Sequence, residues 1–161
     1  MTEENRLNGS ALKTSSGSTR TELRHVLIVD DDPGDVFLIQ QALRICHKNV
    51  RTDAVGDGIE ALKFLRQEGR YSDRPTPHFV FLDLNMPRMN GHETLIELRA
   101  DETLKSLPVI VLTTSESKVD IRKAYAEQAT CFVNKPLELD ALTTMVEHLG
   151  RFWFDVVRYP D

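Results

Sequence analysis

Short apolar runs alternate with amphipathic stretches along most of the chain, and this alternation constrains the fold more than any other feature. Four of the five runs are nearly continuous in apolar residues, as strands buried on both faces are, and the run at 50–55 is more polar. Strands that alternate with helices predict a parallel sheet covered by helices on both faces. The sequence therefore predicts a doubly wound, five-stranded parallel α/β fold. The predicted strands are residues 26–29, 50–55, 78–82, 109–112 and 131–133.

The stretches between these runs carry apolar residues at helical spacing. The first predicted helix follows the run at 26–29, and the second opens at Asp57-Gly58. The third and fourth are predicted at 90–99 and 118–128, and the fifth begins at residue 137. The predicted buried face of the fifth helix consists of Leu139, Leu142, Val146 and Leu149.

Length and composition exclude several classes of protein. The chain has 161 residues, which corresponds to one domain and leaves no room for a full effector domain. Its net charge of −5 disfavours a nucleic-acid partner, and no apolar run approaches the ~18 residues of a membrane span. The two cysteines are too few for a secreted disulfide framework, so a cytoplasmic setting is expected.

The chain divides into three segments. Residues 1–24 are rich in Gly, Ser and Thr and are predicted to form a disordered tail. Residues 25–149 form the predicted domain, and residues 150–161 form an apolar extension. Because Gly150 weakens the helix there and the apolar residues beyond it point in several directions, we expect a homodimer built on the fifth helix and this extension. The alternative is that the extension folds back on its own sheet. The expected interface residues are Phe152, Trp153, Phe154, Val156, Val157 and Tyr159.

Polar residues follow four of the five runs, at the points where the strands end. In parallel sheets these ends lie at one edge, where ligands bind if the strand order reverses. Three carboxylates at this edge would repel one another and need a cation, and their hard oxygen atoms suit Mg²⁺. A nearby lysine and a threonine hydroxyl would complete the groups needed to transfer a phosphoryl group to an aspartate. The residues concerned are Asp30, Asp31, Asp83, Thr113 and Lys135.

These motifs resemble the receiver domains of two-component response regulators. The resemblance covers residues 25–149 and is carried by Val29-Asp30-Asp31, Leu82-Asp83-Leu84-Asn85-Met86-Pro87, Asn90-Gly91, Thr113 and Lys135-Pro136. It implies the flavodoxin-like strand order 2-1-3-4-5 and autocatalytic phosphorylation by a sensor histidine kinase. A protein of this kind is a signalling protein rather than an enzyme with its own substrate. It undergoes Mg²⁺-dependent autophosphorylation and autodephosphorylation.

The resemblance also implies a role for each matching residue. Asp83 would be the phosphoacceptor, and Asp31 would bind Mg²⁺ directly with help from Asp30. Asn85 would offer its backbone carbonyl to the metal, and Lys135 would pair with the phosphoryl group. Thr113 would be the switch hydroxyl, which moves inward on phosphorylation, and Phe132 would be the aromatic switch that fills the vacated space.

Within the family, the chain is most similar to phytochrome-associated single-domain regulators. Asp32-Pro33-Gly34-Asp35, Leu112-Thr113-Thr114-Ser115 and the aromatic ending carry this similarity. It implies a phytochrome-type photoreceptor kinase, such as a bacteriophytochrome, as the phosphodonor.

Two other readings of the sequence compete with this one. A haloacid-dehalogenase-type phosphatase would use Asp30 as its nucleophile, but it would leave the motif around Asp83 unexplained. A phosphorylation-independent interaction domain would not need the full set of strand-end residues. The identity of the phosphorylated aspartate separates the first alternative from a receiver.

Overall fold

The computed structural model describes residues 22–160, so residues 1–21 of the predicted tail lie outside the described part of the chain. Five parallel strands form one sheet in the order β2-β1-β3-β4-β5, which confirms the doubly wound fold. The strands are β1 (Arg24–Val29), β2 (Val50–Val55), β3 (Phe79–Leu82), β4 (Val109–Thr113) and β5 (Cys131–Asn134). The helices are α1 (Pro33–Cys46), α2 (Gly58–Leu65), α3 (Gly91–Ala100), α4 (Lys118–Ala126) and α5 (Leu139–Arg151).

Successive residues of the three central strands point into two separate hydrophobic layers. In β1, Leu27 and Val29 pack with α2, α3 and α4, whereas Val26 and Ile28 pack with α1 and α5. This alternation follows from the two-residue period of a strand. Because both faces are covered, the central strands are apolar at almost every position, and this is the pattern that predicts them.

Polar side chains cap the first four helices at their N-termini. Asp32, Asp57 and Ser117 accept hydrogen bonds from backbone N–H groups in the first turns of α1, α2 and α4. Asn90 forms a capping box with Glu93 at the start of α3. Such caps satisfy backbone donors that have no partner within the helix. Each cap lies after a strand, so it also fixes where the chain turns at the carboxyl edge of the sheet.

Helix α5 continues through Gly150 to Arg151, and the glycine lies close to α1. A Cβ atom at Gly150 would lie 3.1 Å from the Cys46 Sγ and 3.3 Å from the Leu43 Cδ2. The chain then forms one π-helical turn, Phe152–Val156. The predicted buried face of α5 holds for Leu142 and Val146, but Leu139 is exposed.

The segment after α5 folds back on its own sheet for most of its length. Trp153 and Phe154 are buried in the layer formed with α1 and α5, and both rings contact Phe79. The expectation that these two residues form an interface is therefore corrected, since their side chains already lie in the core of this chain. Val157 and Tyr159 are half-buried against the same layer. Phe152 and Val156 are exposed.

Tyr159 packs the end of this segment against residues at the amino ends of β1 and β3. Its hydroxyl donates a hydrogen bond to the Trp153 carbonyl at 2.7 Å. Its ring lies edge-on to His78 and receives the guanidinium of Arg24 5.2 Å from its centroid. Within residues 22–160, no helix combines the length and the apolar character needed to cross a membrane.

Replacing Trp153 tests whether this segment contributes to the core. We expect Trp153→Ala to lower the free energy of unfolding by about 3–5 kcal/mol, because a buried aromatic ring is lost and a cavity remains. Phe152→Ala, at the exposed neighbouring position, should cost about 1 kcal/mol or less. Denaturant unfolding followed by far-ultraviolet circular dichroism measures both variants. Tryptophan fluorescence would not serve, because Trp153 is the only tryptophan of the sequence and the substitution removes it. Equal losses for the two variants would contradict the burial of Trp153.

Candidate functional site

The residues predicted at the strand ends converge at the carboxyl edge of the sheet. Asp30 and Asp31 follow β1, Asp83 follows β3, Thr113 ends β4 and Lys135 follows β5. Strand pairing continues into these positions and fixes their backbones. The Asp83 N–H donates to the Val29 carbonyl at 2.9 Å, and the Lys135 N–H donates to the Thr113 carbonyl at 2.7 Å.

Three carboxylates form the acidic part of the site. One oxygen from each of Asp30, Asp31 and Asp83 lies within 4.8 Å of the others. Asp30 and Asp83 are buried, whereas Asp31 is exposed. The Asn85 N–H points toward Asp83 with a distance of 3.5 Å to Oδ1, so the backbone of Asn85 follows the same edge. Hard oxygen donors at this spacing fit a divalent cation such as Mg²⁺ or Mn²⁺.

The ammonium of Lys135 lies among these carboxylates and is almost completely buried. Its Nζ donates to the Asp30 Oδ2 at 2.7 Å and lies 3.6 Å from the Asp83 Oδ2. Burial alone would lower the pKa of Lys135, but its hydrogen bonds to carboxylates outweigh burial and raise this pKa above its ordinary value. Burial raises the pKa of Asp30, against the opposing effect of its hydrogen bond from Lys135. The site thus holds a lysine ammonium, stabilised by carboxylates, beside the expected phosphoacceptor.

Asp35 also belongs to this site, although its role is not predicted from the sequence. Its Oδ2 accepts a hydrogen bond from the Lys135 Nζ at 2.9 Å. An acidic residue in the first turn of a helix is common because it stabilises the helix dipole, so Asp35 carries no separate signal. Its position three residues after Asp32, the N-cap of α1, does place it on the strand-end side of the helix. That position is the signal from which its proximity to the site could have been inferred.

The loop between β3 and α3 is tied to the start of α2. The Gly58 N–H donates to the Met89 carbonyl at 3.1 Å, and the Arg88 Nε donates to the Asp57 Oδ2 at 2.8 Å. Arg88 has a φ of 63°, a conformation that non-glycine residues adopt uncommonly. Desolvation by burial acts to raise the pKa of Asp57. The hydrogen bond from Arg88 is the main opposing cause, and the net result is a lowered pKa. These contacts fix the loop that begins at Asp83 and carries Asn85.

The two residues predicted as switches lie on neighbouring strands. Thr113 is completely buried, and its Oγ1 lies 3.4 Å from the Ser115 N–H. Phe132 is half-buried beside the layer formed by α2, α3 and α4. Its backbone N–H donates to the Tyr125 hydroxyl of α4 at 3.2 Å. Thr113 thus lies at the strand-end edge of the sheet, and Phe132 lies beside α4.

A polar network links the loop after β4 to α3 and α4. The Ser115 hydroxyl donates to the Asp120 Oδ2 at 2.6 Å, and the His92 ring lies 3.1 Å from Asp120 and 2.6 Å from Glu127. The hydrogen bond from Ser115 and the contact with His92 lower the pKa of Asp120. The sequence gives no sign of this network, because its members are far apart along the chain.

Comparisons with known proteins agree with this geometry. The family model of the response regulator receiver domain matches residues 26–147. Response regulator Rcp1 of Synechocystis sp. is 35% identical over 135 residues, which are 84% of this chain and 92% of that protein. The crystal structure of the phosphorylated cyanobacterial phytochrome response regulator RcpA is similar with a TM-score of 0.84 at 36% identity, covering 87% of this chain and 100% of that one. The Mn²⁺-bound form of Rcp1 has a TM-score of 0.81 at 34% identity and covers 86% and 99% of the two chains.

Gly91 provides a test of how the backbone at Asp83 is held. A Cβ atom at Gly91 would lie 2.4 Å from the Asp83 carbonyl oxygen and 2.8 Å from the Leu84 Cα. We therefore expect Gly91→Ala to lower the free energy of unfolding by about 1–3 kcal/mol, because backbone must shift to relieve the overlap. Gly56→Ala is the matched control, since no atom lies within 4 Å of its added methyl group. Thermal unfolding of both variants measures the difference, and an unchanged Gly91→Ala protein would contradict the close approach.

Proposed function

The chain belongs to the response-regulator receiver family, and on this premise we propose that Asp83 accepts a phosphoryl group from a sensor histidine kinase. The single observation that carries the proposal is the position of Asp83, which lies 3.6 Å from a buried lysine ammonium and within the carboxylate cluster. This arrangement supplies a nucleophile, a fixed positive charge and a set of metal-type ligands at one sheet edge. The phosphatase alternative, with Asp30 as nucleophile, is not favoured by the family assignment.

The proposed reaction is a direct phosphoryl transfer. An oxygen of the Asp83 carboxylate forms a bond to phosphorus as the phosphorus–nitrogen bond of the donor phosphohistidine breaks. The imidazole leaves with the electron pair of that bond and takes up a proton. Hydrolysis then ends the signal. Water attacks phosphorus, the aspartyl oxygen leaves, and inorganic phosphate and the free carboxylate result. Both steps are self-catalysed, so the protein acts as a phosphoacceptor rather than on a separate substrate.

The surrounding residues compensate the charge of the phosphoryl group. Lys135 presents its ammonium to the phosphoryl oxygens from the side of β5. Asp30, Asp31, Asp83 and the backbone carbonyl of Asn85 would hold Mg²⁺, which supplies charge neutralisation at the transferred group. These oxygen donors are the type that Mg²⁺ prefers.

Phosphorylation would be read out through Thr113 and Phe132. The phosphoryl group adds charge and acceptor oxygens to which the Thr113 hydroxyl can donate. Its inward movement would free space for the Phe132 ring, which borders α4. The surface formed by α4, β5 and α5 would then change its contacts with other proteins, because the new ligand biases a two-state element.

The proposed donor is a phytochrome-type photoreceptor kinase in the cytoplasm. The support is the relatives: RcpA is a cyanobacterial phytochrome response regulator, and another similar structure is the bacteriophytochrome response regulator AtBRR, which is 32% identical. The motifs that this chain offers for the same assignment are the Asp32-Pro33-Gly34-Asp35 turn and the aromatic C-terminal segment.

We also propose that the chain forms a homodimer through α5 and the segment that follows it. Trp153 and Phe154 would support this surface from within, and Phe152 and Val156 would contact the second copy. These two side chains are 52% and 64% exposed and lie on one short turn. Neighbouring exposed apolar side chains of this size are typical of interaction surfaces.

Phosphotransfer with position mapping tests the assignment of Asp83. We expect radiolabelled phosphate from a phosphorylated phytochrome-type kinase to appear on the wild-type protein and to be absent from Asp83→Asn, because an amide cannot act as the nucleophile. Peptide mapping of the acyl phosphate should place the label at Asp83. Asp73→Asn, an exposed aspartate away from the site, is the control and should be labelled normally. A label at Asp30 would instead support the phosphatase alternative.

Sedimentation velocity tests the proposed dimer. We expect the wild-type chain to sediment as a dimer at micromolar concentration, and Phe152→Asp or Val156→Asp to sediment as a monomer because a charge would be buried at the contact. Val119→Asp changes an equally exposed apolar residue on α4 and should leave the dimer intact. A monomeric wild-type chain would contradict the proposal.

A further inference from the structure

We propose that Asp35 is a positioning residue that holds the Lys135 ammonium between Asp30 and Asp83. The inference rests on the proposed function, since it concerns how Lys135 is presented to a phosphoryl group at Asp83. It adds a residue on α1 to a site whose other members all come from the strand ends.

The distances around Lys135 show an uneven division of its hydrogen bonds. The Nζ donates to Asp30 at 2.7 Å and to Asp35 at 2.9 Å, whereas Asp83 lies farther away at 3.6 Å. The expected nucleophile is therefore the least engaged of the three carboxylates. Asp35 draws the ammonium toward α1, and Asp30 draws it toward β1. The ammonium is thereby kept near Asp83 but does not donate a hydrogen bond to it.

Asp35 is itself held by a closed chain of hydrogen bonds. The Asp32 N–H donates to the Asp30 Oδ1 at 2.9 Å, and the Asp32 Oδ1 accepts from the Asp35 N–H at 3.2 Å. Asp35 then accepts from Lys135, which donates back to Asp30. Asp30 uses both of its oxygens in this ring. Any movement of the Lys135 ammonium toward Asp83 is therefore resisted through the first turn of α1.

The geometry separates Asp35 from the metal-type cluster. The three carboxylates with oxygens within 4.8 Å of one another are Asp30, Asp31 and Asp83. Asp35 contacts the lysine and lies outside this group, with its side chain 24% exposed. Its carboxylate can consequently remain with Lys135 when the cluster oxygens bind a cation. A residue with this position affects the orientation of the lysine more than the binding of the metal.

Removing the Asp35 charge should let the ammonium settle against Asp83. An oxygen paired with an ammonium is a weaker nucleophile, because its electron density is drawn toward the positive charge. The reaction to follow uses acetyl phosphate: an Asp83 oxygen bonds to phosphorus, the phosphorus–oxygen bond to the acetyl group breaks, and acetate leaves with the electron pair. We expect the rate constant at saturating donor to fall about tenfold in Asp35→Asn, because a small displacement of a group at the reacting centre slows the reaction.

The experiment measures this rate constant, the donor concentration at half-saturation and the Mg²⁺ affinity in full-length protein. In Asp35→Asn, the last two should change by about twofold or less, and Asp35→Glu should recover most of the lost rate. Asp140→Asn is the matched control, because it removes an exposed carboxylate from the first turn of α5. Asp35→Ser provides a second variant with the charge removed.

A double-mutant cycle with Lys135→Ala tests whether Asp35 acts through the lysine. We expect Asp35→Asn to cause no further loss of rate when Lys135 is absent. In metal-free protein, nitrogen-detected NMR should show faster hydrogen exchange at the Lys135 ammonium in Asp35→Asn and Asp35→Ser than in wild type and Asp140→Asn. This second measurement does not depend on phosphorylation.

The outcomes distinguish this inference from the proposed function. Failure of the wild-type protein to form an acyl phosphate at Asp83 would overturn the proposed function. A phosphorylated wild type with an unchanged Asp35→Asn rate would overturn only the role of Asp35. The role of Asp35 would also be overturned if Asp35→Asn lost rate equally in the presence and absence of Lys135. Unchanged exchange of the Lys135 ammonium in the metal-free variants would overturn it as well.

Discussion

The burial of one ammonium among aspartates organises the functional edge of this protein. A lysine with 3% of its side chain exposed needs carboxylate partners, since an unpaired buried charge is costly. The carboxylates likewise need a cation, because their mutual repulsion would otherwise favour protonation of one of them. The ends of β1, β3 and β5 and the first turn of α1 supply the parts of this charge balance. The strand order, with β1 beside β3 and β3 beside β4, brings those parts within reach of one another.

The remainder of the fold keeps this edge rigid. The two hydrophobic layers fix the strands, and the caps at Asp32, Asp57 and Asn90 fix the turns that leave them. Close approaches at Gly58 and Gly91 leave no space for a larger residue between the β3–α3 loop and its neighbours. Rigid support of this kind matters because charged groups must stay at set distances before any phosphoryl group arrives. Toward α4, the polar contacts of Ser115, Asp120 and His92 join the loop after β4 to α3 and α4.

The sequence predicted the fold class and the members of the strand-end site because both depend on local patterns. Apolar runs identify buried strands, and a polar residue directly after a run identifies the sheet edge. Asp35 and His92 were not found, because their partners Lys135 and Asp120 are distant in sequence and only tertiary packing joins them. The C-terminal segment was misjudged at Trp153 and Phe154 for a related reason. Their burial depends on space between α1, α5 and the sheet that no local pattern reveals, and the close approach of Gly150 to α1 is likewise visible only in the packed fold.

The contact between Arg24 and Tyr159 has a practical consequence for studies of this protein. It brings the two ends of the described chain together at the amino edge of the sheet, and Glu22 and Pro160 line one shared cavity there of about 270 Å³. Strand β1 separates this edge from the carboxylates by six residues, or about 20 Å at the usual rise per strand residue. Fluorophores or surface linkers attached at residue 22 or residue 160 would therefore sit on the far side of the molecule from the phosphoryl site. The same proximity makes the protein suitable for circular permutation, with a short linker joining residues 160 and 22 and new ends opened in a surface loop.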